Sequence, residues 1–436
     1  MAIFRIIFVS VLVLIGLGAS FHGPLNALLF YIWVAYFRPD VWVENSFLLS
    51  LRFSLIVGII LIILVFIKGV KLRFTPFAGL LLLTLIHSLL STLLSNYSDT
   101  INWVDFLKVI VVTYLITMLV ESEKDLKLVL IVITLSLGLF DGAKLGWTHL
   151  ILYPGRLIWN KHPSMGDNNY VAVAMLMITP MLIALSQTAE RKIIKYGYIF
   201  LAIGVIYRAL STYSRGGFLT FLVMCIIFWM RSRYKVRVLL IAVLLAALIL
   251  PTFPQSFWDR METIAASSDE QDGSVRGRLY FWGIAWEMAK KNPIFGVGHN
   301  SYGKAYLNFD PSHDRGWTVH SAWFGILSEW GFPGLIIYLS IYLYSLFSCA
   351  RVRKKCKDRP ELRNLVIFSN SIETSLIAAA VGITFLSFQY YEILWNFFGL
   401  AVVSHQILQA NNAPDGDQLI TAIEDDEYIS QIPHRK

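Results

Sequence analysis

The sequence predicts an all-α protein: a polytopic membrane helical bundle of about 12 transmembrane helices, with one large loop carrying amphipathic helices on a single side. Two observations predict it. Hydrophobic residues fill 56% of the 436 positions and charged residues only 15%, against roughly 25% charged in a soluble domain. Apolar stretches of about 20 residues recur along the chain, each long enough for a hydrocarbon core of roughly 30 Å.

Residues 1–37 are apolar, and Gly16, Gly18 and His22-Gly-Pro24 interrupt any regular helix there. The segment therefore crosses once as a broken helix or forms a hairpin, and a single crossing is the expectation. It carries no small-residue cleavage site followed by a soluble domain, so it reads as embedded rather than as a removed leader. Clear spans follow at residues 47–67, 74–94, 101–120, 126–146, 170–186, 196–211, 218–230, 236–251 and 320–349. The last is long enough to bend at Gly331-Phe-Pro333-Gly334. Residues 374–408 suit a hairpin of two short spans turning near Gln389-Tyr-Tyr-Glu392. The chain thus divides into a bundle (1–251), a large loop (252–319), C-terminal helices (320–410) and a polar, acidic tail (411–436), which is loose and cytoplasmic.

The net charge of +8 sits mostly in short connections such as Lys68–Arg73, residues 231–237 and residues 351–363. That distribution reads as membrane topology and membrane-lipid contact, not as a nucleic-acid footprint. With those basic connections in the cytoplasm, the spans alternate correctly, and three segments face outward: residues 147–168, the tight turn at 211–217, and the 252–319 loop. Cys225, Cys349 and Cys356 give neither a disulfide framework nor a metal spacing.

Arginines on the outward side need a reason other than topology, and a lipid-borne phosphate supplies one. Arg215 lies in Ser214-Arg-Gly-Gly217, where Ser214 suits an N-cap and a helix N-terminus offers free N–H donors. Arg278 lies on a helix predicted over residues 275–290, whose Val275, Leu279, Trp282 and Trp286 form an apolar stripe for the membrane surface or the bundle. Arg276 and Arg315 make weaker versions of the same case. Each arginine has a plainer reading, a side chain reaching lipid headgroups.

His320, at the end of the loop, has an imidazole suited to taking a proton from a hydroxyl at neutral pH. His299 is a competing base, with Asn300 beside it as a substrate contact, and His313 is a weaker one. Asp167, Asn168 and Asn169 bind sugar hydroxyls or cap a helix, capping being the default. The acidic run at 269–272 lacks a fixed ligand geometry, so no metal site is expected.

Ser214-Arg215-Gly216, the Arg278-x-x-x-Trp282 helix running to Pro293-Ile-Phe-Gly296-Val-Gly298, and His320-Ser321 followed by Glu329-Trp-Gly331-Phe-Pro-Gly334 together resemble the O-antigen ligase/polymerase superfamily of bacterial membrane glycosyltransferases. Tyr36-Phe-Arg-Pro39 and Gly166-Asp-Asn-Asn169 further resemble its exosortase-associated putative O-glycosylation ligase branch. The resemblance implies an inner-membrane enzyme with a periplasmic site. Such an enzyme moves a glycan from undecaprenyl diphosphate to a lipid A-core sugar in lipopolysaccharide biosynthesis. It implies that Arg215 and Arg278 hold the diphosphate, that His320 acts at the acceptor hydroxyl, and that transfer inverts the anomeric centre without metal or cofactor. A polymerase or a protein O-glycosylation ligase is the nearest alternative. A transporter or flippase calls for ionisable residues near the bilayer midplane, whereas the candidates here gather at one rim and Asp141 with Lys144 lie near a span end.

Overall fold

The computed structural model describes residues 2–43, 53–98, 100–158, 165–262, 273–312 and 315–412. His313, the acidic run at 269–272 and the tail beyond 412 lie outside the described residues, as does the side chain of Arg276. Among the described residues every regular element is helical. Among these described residues nine helices are long and apolar enough to cross a membrane, and three shorter apolar ones accompany them.

The helices are α1 (Ala2–Ser20), α2 (Pro24–Phe37), α3 (Pro39–Trp42), α4 (Phe53–Ile67), α5 (Pro76–Leu93), α6 (Thr100–Leu119) and α7 (Glu123–Gly138). A π-turn, Leu139–Lys144, carries α7 into α8 (Leu145–Leu152); α9 (Asn168–Gln187), α10 (Lys192–Leu210), α11 (Arg215–Arg231) and α12 (Lys235–Ile249) follow. The loop holds α13 (Gln255–Glu262), α14 (Gly273–Lys291) and α15 (Tyr302–Phe309), and the chain closes with α16 (Ala322–Lys355), α17 (Arg363–Ile383) and α18 (Glu392–Ala410). α9 and α18 lie at the centre of the bundle, with most of their residues buried.

Residues 2–37 form a hairpin, not the single broken crossing expected. Gly16 lies against Phe30, and Val9 clusters with Phe37, as two arms folded back about residues 21–23 require. Pro24 at the first helical turn starts the second arm, where its missing N–H has no intrahelical partner to lose. The C-terminal hairpin also differs from expectation. Its first arm reaches back to Arg363, so two full-length helices replace two short ones. Arg231 and Arg353 both pair with the buried Glu373, and this neutralisation lets charged residues continue the first arm.

α16 breaks at Gly331, as its Gly-Phe-Pro-Gly run predicts. Gly331 has φ 70° and ψ −170°, a conformation reserved almost wholly for glycine. The break frees carbonyls of buried residues, and each must find a donor. Gly298 N donates to Glu329 O at 3.0 Å and Val297 N to Ser328 O at 2.9 Å. Ser91 Oγ donates to Glu329 O at 2.7 Å, and His87 Nε2 lies 2.7 Å from Trp330 O. In return Phe332 N donates to Pro293 O at 2.9 Å. A Cβ on Gly296 would run into the Ser328–Glu329 backbone. The two glycine-containing motifs are thus halves of one clasp, which fixes the loop to the bundle.

The buried face of α14 is Phe281, Ala285 and Met288, joined by Tyr302, Tyr306 and Val319 in the loop's own small core. Leu279 and Trp286 of the expected stripe remain exposed, on the side free for a membrane surface.

Candidate active site

Ser214 caps α11: its Oγ accepts from Gly217 N at 3.2 Å. Arg215 is therefore the first residue of that helix, and it is buried at 6% exposure. Gly216 faces the turn after α17, where a Cβ would sit 3.6 Å from Phe385 Cβ. The Phe385 ring also meets the second arginine, since the Arg278 guanidinium lies over it at 6.0 Å from the centroid. Trp282, one turn along α14, stacks on Phe324 at 5.2 Å and reaches Phe385 at 6.2 Å. One aromatic ring thus lies between the helix carrying Arg278 and the start of the helix carrying Arg215.

α16 begins at Ala322, two residues later than the span expected, which leaves His320 in the loop. Its backbone is left-handed, with φ 49°, and strain of this kind gathers at functional sites. Tyr213 (φ 55°) and Asn300 (φ 51°) share that conformation beside two other candidate positions. His320 Nε2 lies 2.8 Å from Thr318 Oγ1. Burial lowers the imidazole pKa below the usual histidine value, the nearby Arg278 charge lowers it further, and Asp167 opposes both. The ring is accordingly neutral at neutral pH, the form able to accept a proton.

Asp167 caps α9, its Oδ1 accepting from Asn169 N at 2.9 Å and Tyr170 N at 3.2 Å. Asn168 Nδ2 donates to Thr212 O at 2.9 Å, which ties this cap to the turn ahead of Arg215. Asn169 is half-buried next to them. The default capping role therefore accounts for Asp167, while its charge still reaches His320. Burial and then Asp167 push the neighbouring Tyr391 phenol up to about 12, so it remains a hydrogen-bond donor, 3.3 Å from Met165 O.

Arg278 and Asp167 both act on His320, and Arg215 opens the helix whose Gly216 meets Phe385; the other candidates are elsewhere or at the margin. His299 is 1% exposed and enclosed by Tyr390, Phe106 and Trp330 at centroid distances of 4.2, 5.0 and 5.9 Å. A base needs reach to its proton, and this ring is walled off by aromatic packing. Arg315 is exposed and lies 4.5 Å over Trp317, which stacks on Phe281 in the loop's core, not on Phe385. Asn300 is exposed at the mouth of a cleft of about 490 Å³ that also takes in Thr318, Gln389 and Tyr391.

The sequence motifs assign no role to two side chains of this region, Phe385 and Glu329. Phe385 carried no signal, because a phenylalanine at the end of an apolar span is unremarkable as text. Glu329 did carry one: a carboxylate within an apolar span is a functional hypothesis by default. It is 3% exposed, with Oε1 accepting from Tyr302 N at 3.0 Å and Oε2 from Tyr390 Oη at 2.6 Å.

Residues 198–339 match the family model described as O-Antigen ligase, a stretch that runs from α10 into α16 and holds Arg215, Arg278, His320 and Glu329. No curated protein matches the chain.

Proposed function

We propose that this multi-pass membrane protein, whose residues 198–339 match the O-Antigen ligase family model, is a member of that superfamily and passes a glycan from undecaprenyl diphosphate to a lipid A-core sugar. In this reading it lies in the inner membrane with its site toward the periplasm. The observation that carries the reading is a buried imidazole, His320, under the charges of Arg278 and Asp167, with Arg278 over the ring of Phe385, which also meets Gly216 beside Arg215.

Transfer breaks the bond between the anomeric carbon and the diphosphate oxygen, and the acceptor oxygen forms the new bond from the opposite face. Negative charge builds on the departing diphosphate, and the Arg215 and Arg278 guanidiniums stabilise it through paired N–H donors. The acceptor hydroxyl loses its proton to His320. With Nε2–H donating to Thr318, Nδ1 keeps the lone pair that takes this proton. The donor arrives activated, so no nucleotide is needed. The two guanidiniums supply the positive charge that a metal ion would bring to a diphosphate, so the reaction needs no divalent ion.

Purified protein in proteoliposomes, given carrier-linked glycan and lipid A-core with a chelator present, is expected to yield glycosylated lipid A-core of inverted configuration. Mass spectrometry and NMR of the product check this. Absence of that product, or a strict requirement for Mg²⁺, overturns the corresponding part of the reading. Carrier-linked polymer or a glycosylated protein would instead identify a different acceptor.

A pH profile tests the base. Because the His320 pKa is lowered, kcat/KM is full above that pKa and falls as pH drops through it, on a limb below the ordinary histidine range. Asp167 raises that pKa, so Asp167→Asn, which keeps the helix cap, is expected to move the limb to lower pH. A limb that stays put or rises removes either Asp167 or His320 from the protonation step.

A further inference from the structure

The cleft of about 490 Å³ beside His320 runs between loop residues 300–303 and 318–319 on one side and the turn at 387–392 on the other. Its polar floor is rich in acceptors. Glu329 and Gln389 are each 3% exposed, and Glu392 lines the same space. Gln389 Nε2 lies 3.5 Å from Glu329 Oε2, so the amide directs its nitrogen at the carboxylate and its oxygen elsewhere. Among the described residues that oxygen meets no hydrogen-bond partner. A buried carbonyl oxygen without a donor is unusual in a folded protein, and the cleft is the route by which a donor can reach it. Gly325 is what leaves room for the amide, because a Cβ there would meet Gln389 Nε2 at 2.6 Å.

One wall of the cleft is a flat aromatic stack. Tyr391 lies on Phe388 at 4.6 Å with planes 8° apart, and on Tyr170 at 4.9 Å with planes 24° apart. Such ring faces are apolar and electron-rich, suited to the C–H face of a pyranose. The acceptors on the floor then suit its hydroxyl groups. This flank differs from Phe385 in its polar groups: Glu329, Gln389 and Glu392 line the cleft, and neither Arg215 nor Arg278 does. A phosphate or carboxylate entering here would face acceptor oxygens and no guanidinium or ammonium in the lining, an arrangement that excludes as well as selects.

We propose that this cleft is a subsite for an uncharged pyranose, that Gln389, Glu329 and Glu392 hold its hydroxyls over the Tyr391 stack, and that it rejects a phosphorylated sugar. The identification of that pyranose as the acceptor's terminal sugar rests on the transfer reading above; binding of the sugar does not.

Ligand-observed NMR on the full chain in nanodiscs tests this, with methyl β-D-glucopyranoside and its 6-phosphate as probes and farnesyl diphosphate as a probe of the arginine side. The neutral glycoside is expected to bind about 10-fold more tightly than its phosphate. Gln389→Leu is expected to weaken the neutral glycoside about 10-fold while leaving farnesyl diphosphate unchanged. Arg278→Ala is expected to do the reverse. If Gln389→Leu also loses farnesyl diphosphate, and so fails to fold, Asn300→Gly decides. That position is exposed at the mouth and glycine keeps its positive φ, so loss of the neutral glycoside alone supports the subsite and unchanged binding overturns it. Equal binding of the neutral glycoside to wild type and Gln389→Leu, or of the two sugars to wild type, also overturns it. Failure of the reconstituted transfer with sugar binding intact would instead count against the transfer reading alone.

Discussion

His320→Asn is expected to slow glycan transfer by roughly 10²–10⁴, the range that a positioned base contributes, with protein level and thermal stability held near wild type. Asparagine is the informative substitution because it tolerates the left-handed backbone that His320 adopts at φ 49°. Alanine at the same position would add backbone strain and confuse a chemical loss with a folding one. The loss should fall on kcat, since the imidazole acts on the acceptor proton as the transition state forms, and farnesyl diphosphate binding should be unaffected. Initial rates in proteoliposomes measure it. Wild-type rates in the variant would remove the imidazole from the mechanism and leave its neutrality and strain without a functional reason.

Arg278→Ala and Arg215→Ala are each expected to lower the rate by about 10²–10³, as loss of one preorganised donor to a developing anion commonly does. The two are not equivalent. Arg278 is half-buried over Phe385, so its removal should act on the site alone. Arg215 is buried at the start of α11, so its removal should also lower thermal stability. Lysine at either position is expected to recover only part of the activity, because a point charge lacks the paired donors of a guanidinium. Rate measurements beside a thermal melt separate these effects. A variant at Arg278 that transfers normally would show that the diphosphate is held elsewhere, and the placement of Arg278 over Phe385 would then lose its meaning.

The contrast between Arg278 and Arg315 explains how much a linear reading can carry. Both are arginines near a tryptophan in the 252–319 loop, and the helix and motif that favour Arg278 do not say what either side chain touches. The fold turns one onto Phe385 and the other onto Trp317, and only contacts across the chain decide which reaches the site. His299 and His320 differ in the same way: each sits near a turn, yet one is packed among three aromatic rings and the other remains in the loop beside Arg278 and Asp167.

Composition and apolar length by themselves determined the membrane-helical class, because lipid permits few ways to satisfy a backbone. Local chemistry likewise determined the cap at Ser214 and the break at Gly331, each of which depends on residues a few positions away. The back-folding of residues 2–37, the clasp between residues 293–298 and the broken α16, and the cleft at Gln389 were decided only in three dimensions. Each joins segments that no periodicity links, and hydrogen bonds and ring contacts made across such distances leave no trace in the local pattern of either partner.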